Sequence, residues 1–161
     1  MGVLVWLCYY NRVEIRIHKI KEGAILPTFA HLSDAGADLF TSESVTIPGA
    51  TSIDGNPIFP RTKIPTGIAL EIPVGYVGLI WDKSGLSTKH GLVTLAGVID
   101  AGYRGEIVVP MMNTDCEPYT FAAGEKIAQI LIQPVAHPDF IETVILTPAD
   151  RGDNGFGSTG K

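Results

Sequence analysis

Apolar and polar residues alternate along most of this chain with the two-residue period of a half-buried strand. Val13, Ile15 and Ile17 alternate with Arg12, Glu14, Arg16 and His18. Further apolar runs follow at Val45–Ile47, Ile64–Ile72, Tyr76–Trp81, Leu92–Ile99, Glu106–Met112, Lys126–Val135 and Thr143–Leu146. Turn chemistry punctuates them: Pro48-Gly49, Asp54-Gly55-Asn56-Pro57, Pro73-Val74-Gly75, Asp115 to Pro118, and Ala123-Gly124. No twelve-residue window carries a 3.6-residue period, and one short helix is predicted at Gly85 to His90. The pattern predicts an all-β fold, a jelly-roll-like β-barrel or sandwich, with no internal repeat or domain boundary.

Composition sharpens this picture. A chain of 161 residues forms one domain with a real core, and 18 glycines and 11 prolines fit many tight turns. Hydrophobic residues make up 45% and charged residues only 18%, so part of the apolar surplus is expected in a subunit interface. A net charge of −5 argues against a broad nucleic-acid footprint. An anionic ligand would then need local cations and a metal ion. Cys8 and Cys116 match neither a disulfide framework nor a metal site, which predicts a reducing, cytoplasmic location. Residues 1–12 are read as an apolar N-terminal extension, either an extra strand or a variable addition. The run lacks the flanks of a secretory signal and falls short of the roughly 20 residues that span a bilayer, so no membrane partner is expected. Gly2 is followed by Trp6 where a myristoylation signal wants Ser or Thr.

The most informative segment is Gly97 to Ile107, where Asp100 and Tyr103 stand three residues apart on a glycine-bearing turn. Gly102 and Gly105 suit positive φ or close backbone approach, and the segment reads as a stiff hairpin. Arg104 and Glu106 read as strand-face charge pairs. Taken alone, an aspartate in a turn usually caps its own backbone. Four other segments carry chemistry. Asp34-Ala35-Gly36-Ala37-Asp38-Leu39-Phe40 puts a carboxylate in a small, apolar strand. Lys83-Ser84-Gly85-Leu86-Ser87 sets a cation and hydroxyls at a helix start, a phosphate-binding setting. Gly124 to Gln129 turns into a strand with Gln129 as a lone polar residue. Residues 150–161 are glycine-rich, with Phe156 between two glycines before Ser158-Thr159. Composition predicts a mobile tail there. Its Gly152 to Gly157 spacing echoes a phosphate loop, but the P-loop lysine is missing and no strand leads in, so a Walker A site is rejected.

Together the five segments, in this order, resemble the trimeric dUTPase family, from about residue 13 to 161. The resemblance implies a dUTPase-like β-clip over 1–149 and a C-terminal arm, 150–161, that closes over the active site. It implies Mg²⁺-assisted hydrolysis of dUTP to dUMP and pyrophosphate at the α-phosphorus. That reaction keeps uracil out of DNA and supplies dUMP for dTMP synthesis. Asp100 matches the carboxylate that orients and deprotonates the attacking water. Tyr103 matches the ring packed on the deoxyribose. The backbone at Val98, Ile99 and Val108 matches the uracil reader. Ser84, Gly85 and Gln129 match phosphate or water contacts, and Asp38 matches a carboxylate reaching Mg²⁺ through water. Phe156 matches the ring over uracil, while Arg151, Gly157, Ser158 and Thr159 match groups clasping the outer phosphates. Lys83 stands where the family most often has Arg, which keeps the charge but loses the planar fork. The resemblance also implies a homotrimer whose active sites are shared between chains.

Two rival readings keep the fold. Deaminases of dCTP with this fold carry a Glu three residues before the Asn that closes the next strand; here that position, counted from Asn113, is Pro110. A non-catalytic nucleotide-binding trimer is the other, against which every catalytic position is occupied by a competent residue. A sugar-binding jelly roll would want aromatic platforms, and Trp6, Tyr9 and Tyr10 lie outside the resemblance. His18, His31, His90 and His137 show no metal-ligand spacing.

Overall fold

The computed structural model describes residues 13–150 and 152–153. The strands are β1 (Arg16–Lys19), β2 (Ala37–Phe40), β3 (Val45–Ile47), β4 (Thr51–Ile53), β5 (Asn56–Ile58), β6 (Arg61–Glu71) and β7 (Tyr76–Trp81). One helix, α1 (Ser84–His90), follows, then β8 (Leu92–Thr94), β9 (Val98–Ile99), β10 (Glu106–Asn113), β11 (Tyr119–Phe121) and β12 (Lys126–Pro134). Two four-stranded sheets, ordered β1-β6-β10-β8 and β2-β12-β7-β9, make the body, with the pairs β11-β3 and β4-β5 beside them. All the pairings are antiparallel, and neither sheet closes on itself. The fold is therefore a jelly-roll-like sandwich rather than a barrel.

Alternation explains the core. Along β10, Ile107, Val109, Met111 and Asn113 are buried while their neighbours are half-buried. Ile107, Val109 and Met111 join Leu39, Ile64, Ile68, Ile80, Phe121, Ile127 and Ile130 in one cluster fed by both sheets. Each such aliphatic side chain contributes about 1.5–3 kcal/mol by leaving water. Asn113 is buried without cost because both ends of its amide are used: Nδ2 donates to the Glu117 carbonyl at 2.8 Å, and Oδ1 accepts the Asp115 N–H at 2.9 Å. The Asp54-Gly55 turn joins β4 to β5 with positive φ at both residues, the geometry two-residue hairpins favour.

Two expectations are corrected. The run Leu92–Ile99 is not one strand: Ala96 has φ 51°, and the chain leaves β8 in one sheet to enter β9 in the other. Gly97 is needed at this crossing, because a β-carbon there would stand 2.6 Å from the Ile80 carbonyl oxygen, whose residue donates its N–H to the Gly97 carbonyl. The run Thr143–Leu146 forms no strand, since it finds no neighbouring strand among the described residues to complete a ladder. Phe140, Ile141, Val144, Ile145 and Leu146 are all exposed there, Val144 completely. The extension at residues 1–12, read as an extra strand or a variable addition, lies outside the described residues.

Candidate active site

Asp38 on β2 is the buried charge around which the site is built. Only 5% of the residue is exposed, and each carboxylate oxygen meets a different ammonium: Oδ1 that of Lys83, Oδ2 that of Lys126 at 2.7 Å. Burial alone would raise the pKa of Asp38, but the hydrogen bonds and charges of Lys126 and Lys83 outweigh it and hold the carboxyl below its ordinary value. β2 is fixed by its ladder with β12, where Asp38 stands opposite Gln129. An isolated bridge from Thr28 flanks it on the other side.

Asp38, Lys83, Lys126 and Gln129 line one cavity of about 480 Å³, together with Asp34, Gly36, Trp81 and Asp82. Gln129 is oriented rather than free: its Nε2 donates to the Asp82 carbonyl at 2.9 Å. Lys83 precedes α1, with the N–H groups of Leu86 and Ser87 donating to its carbonyl. The N–H groups of Ser84 and Gly85, at the start of α1, have no partner within a helix. Both residues are exposed.

Lys126 is the residue that sequence reasoning passed over. Lys126 and Gln129 stand three positions apart, so strict alternation would send them to opposite faces of β12. The register shifts between Lys126 and Ala128, however, and Ile127 and Ala128 are both fully buried. This bulge restores Lys126 to the side of Gln129. The signal available in the sequence was the adjacent buried pair Ile-Ala after a lone lysine, which breaks the alternation.

Asp100 and Tyr103 sit elsewhere on the surface of the chain, and neither lines that cavity. Their segment is not the expected hairpin. β9 pairs with β7, whereas β10 pairs with β6 and β8, so residues 100–105 turn a corner from one sheet to the other. The turn itself is as expected, with the Tyr103 N–H donating to the Asp100 carbonyl at 3.0 Å. The Tyr103 hydroxyl donates to the Glu106 carbonyl at 2.9 Å. Gly105 serves by close approach of the Tyr103 ring; Gly102 meets neither a neighbour within 4 Å nor a positive φ. Arg104 reaches Glu71 at 3.6 Å and the Ala101 carbonyl at 2.6 Å, while Glu106 accepts the Gly67 N–H at 2.7 Å, so these two are not partners. Val98 is exposed and lines a second cavity, about 300 Å³, beside Trp81, Thr94 and Gly97. Ile99 packs against the core, and Val108 is half-buried opposite Pro65.

The structure thus gathers Asp38, Lys83 and Gln129 around one cavity that Asp100, Tyr103 and Val108 do not line. Arg151, Phe156, Gly157, Ser158 and Thr159 lie outside the described residues. Among the described residues, no group of three or more His, Cys, Asp or Glu side chains is placed to hold a metal ion. Asp34 and Asp82 each accept a backbone N–H, from His31 at 2.9 Å and Thr94 at 2.6 Å. Such a donor set fits an ion that enters on a phosphate chain and keeps most of its water, as Mg²⁺ does, rather than one caged by protein. Three aspartates against two lysines leave the cavity lining slightly negative, so a polyphosphate would need that ion's charge.

Comparison with known proteins bears on the family and the fold. A family model described as dUTPase matches residues 22–160. The deoxyuridine 5'-triphosphate nucleotidohydrolase of Thermobifida fusca is 43% identical over 155 residues, covering 94% of this chain and 81% of its own. That of Corynebacterium diphtheriae is 45% identical over 150 residues, covering 91% and 92%. Among solved structures, a mutant dUTPase of Staphylococcus bacteriophage 80alpha with dUpNHpp superposes with a TM-score of 0.80 at 27% identity, over 92% of this chain and 99% of that one. A mutant dUTPase from phage phi11 of S. aureus, described as coordinating a structural Mg(II) ion, matches with a TM-score of 0.71 at 26% identity, over 83% and 98%.

Proposed function

The chain belongs to the dUTPase family, and we propose that it hydrolyses dUTP to dUMP and pyrophosphate through water attack at the α-phosphorus, in sites shared between the chains of a homotrimer. The observation that carries the shared-site reading is the division of the site. Asp38, Lys83 and Gln129 line one cavity, and the corner bearing Asp100 and Tyr103 contributes no residue to it. A phosphate subsite and a base-and-water subsite so separated within one chain meet when neighbouring chains supply opposite halves. The exposed apolar segment from Phe140 to Leu146 supports the same assembly, since it is a strand-like run that pairs with no strand among the described residues.

In this reading the Asp100 carboxylate accepts a proton from the attacking water and aims its oxygen at the α-phosphorus. The Tyr103 ring, tied through its hydroxyl to the Glu106 carbonyl, fills the space that a ribose 2′-hydroxyl would need. The backbone at Val98, Ile99 and Val108 reads uracil. Rejecting one extra methyl by contact alone is worth only about 1–3 kcal/mol, so a fixed backbone is the better discriminator. Lys83, Ser84, Gly85 and Gln129 hold the phosphates. Mg²⁺ bound on the triphosphate supplies positive charge against the phosphate oxygens. Asp38 is the carboxylate that would meet its water, and it retains lone pairs for this beyond those given to the lysines. The arm at 150–161 closes the site, with Phe156 over the base and Arg151, Gly157, Ser158 and Thr159 on the outer phosphates.

The test is pyrophosphate release from dUTP and dTTP in Mg²⁺ buffer, together with the mass in solution. The reading expects kcat/KM for dUTP at least about 10²-fold above dTTP and a mass three times that of the 17.2 kDa chain. No pyrophosphate from dUTP would overturn the reaction, and a monomer with full activity would overturn the shared site. Ammonia from dCTP would favour a deaminase instead.

A further inference from the structure

We propose that Lys126 is a second phosphate-binding cation of this site, and that Asp38 is the positioning residue clipping it to Lys83. The inference rests on the dUTPase reading above and adds to it a residue that the sequence motifs assigned no role.

Three observations converge on it. First, the two lysines come from different parts of the chain, one before α1 and one at the start of β12. They meet only on the two oxygens of a carboxylate that is almost wholly buried. An ammonium has three donors, and the contact with Asp38 engages one on each lysine, leaving the others to turn toward the cavity that both line. Second, the bulge in β12 is what puts Lys126 on the cavity side. A lysine serving only as a solvated strand end would need no such irregularity. Third, a lone lysine is a point charge on a flexible stem, whereas phosphate recognition profits from two fixed prongs. Two ammonium groups held on one carboxylate at a set spacing make such a fork.

The alternative is an ion pair that merely fastens β2 to β12. It would show in stability and not in ligand binding. The discriminating experiment compares wild type with Lys126→Met and Lys126→Arg in steady-state hydrolysis of dUTP. Inhibition by inorganic tripolyphosphate and by 2′-deoxyuridine, which has no phosphate, is measured alongside. The expectation for Lys126→Met is a KM raised at least about tenfold, the scale of one hydrogen bond to a charged group, with kcat within about twofold. Tripolyphosphate inhibition should weaken in step while deoxyuridine inhibition stays unchanged, and Lys126→Arg should restore both. In a double-mutant cycle, Asp38→Asn and Lys126→Met should be strongly non-additive in KM. Unchanged KM and tripolyphosphate inhibition in Lys126→Met would overturn the proposal, as would a loss confined to kcat. If the methionine variant fails to fold, Lys126→Gln, which keeps a donor for Asp38, takes its place under the same criteria. If wild type releases no pyrophosphate from dUTP, the functional reading fails on its own. Calorimetric titration of tripolyphosphate into wild type and variant then still decides the lysine pair.

Discussion

The Tyr103 ring lies against the Gly105 backbone so closely that a β-carbon there would stand 2.5 Å from the Tyr103 hydroxyl oxygen. Glycine is thus required by the ring, not by an unusual φ. Gly105→Ala should therefore displace the ring and break its bond to Glu106 while leaving the fold intact. The expected result is a dUTP-to-UTP ratio of kcat/KM reduced by about tenfold or more, with little change in Tm. An unchanged ratio would show that the ring does not set sugar selectivity.

Asp100 is exposed on the same corner, open to solvent as the proposed general base must be. Asp100→Asn should bind a non-hydrolysable dUTP analogue normally and turn over dUTP at least about 10²-fold more slowly. Near-normal kcat in this variant would move the catalytic role to another group.

Removing residues 151–161 takes away the arginine proposed to clasp the phosphates and the ring proposed to cover uracil. The truncated chain should keep its mass in solution and its thermal stability but lose most turnover. Wild-type kcat/KM after truncation would remove the closing role of the arm.

Asp38 gives a pH prediction whose sign follows from its lowered pKa. Its ion pairs stabilise the folded chain above the unfolded aspartate pKa, about 3.9, and that contribution is lost as pH falls through the lower folded value. Denaturant titrations from pH 6 to pH 2 should show wild type losing its advantage over Asp38→Asn only below about pH 4. A constant difference between the two across this range would mean that the carboxylate charge contributes nothing.

In the proposed function Mg²⁺ enters on the triphosphate, so it should matter to turnover and not to folding. Excess EDTA is expected to abolish dUTP hydrolysis, with recovery on added Mg²⁺, at an unchanged Tm. A fall in Tm on chelation would point to a structural ion instead.

Local chemistry was readable directly from the residues. Alternation located β3 and β7 to the residue, and Asp54-Gly55 marked a tight turn that has the backbone it predicts. Asp38, Lys83, Gln129, Asp100 and Tyr103 could be picked out because each is a polar or aromatic group in a context that turn and strand chemistry alone leaves unexplained. These are properties of short windows, where neighbours along the chain decide the outcome.

Which of them stand together was decided only by tertiary structure. Asp38 and Lys83 are 45 positions apart and meet through sheet pairing. Lys126 joins them because a bulge reverses the parity of one strand, which periodicity cannot foretell. Position 96 shows the same limit: an apolar run that reads as one strand is divided between two sheets, because its halves find hydrogen-bond partners on opposite layers. A strand's own pattern states that it needs a partner and a buried face. The identity of that partner is set by the packing of the whole chain.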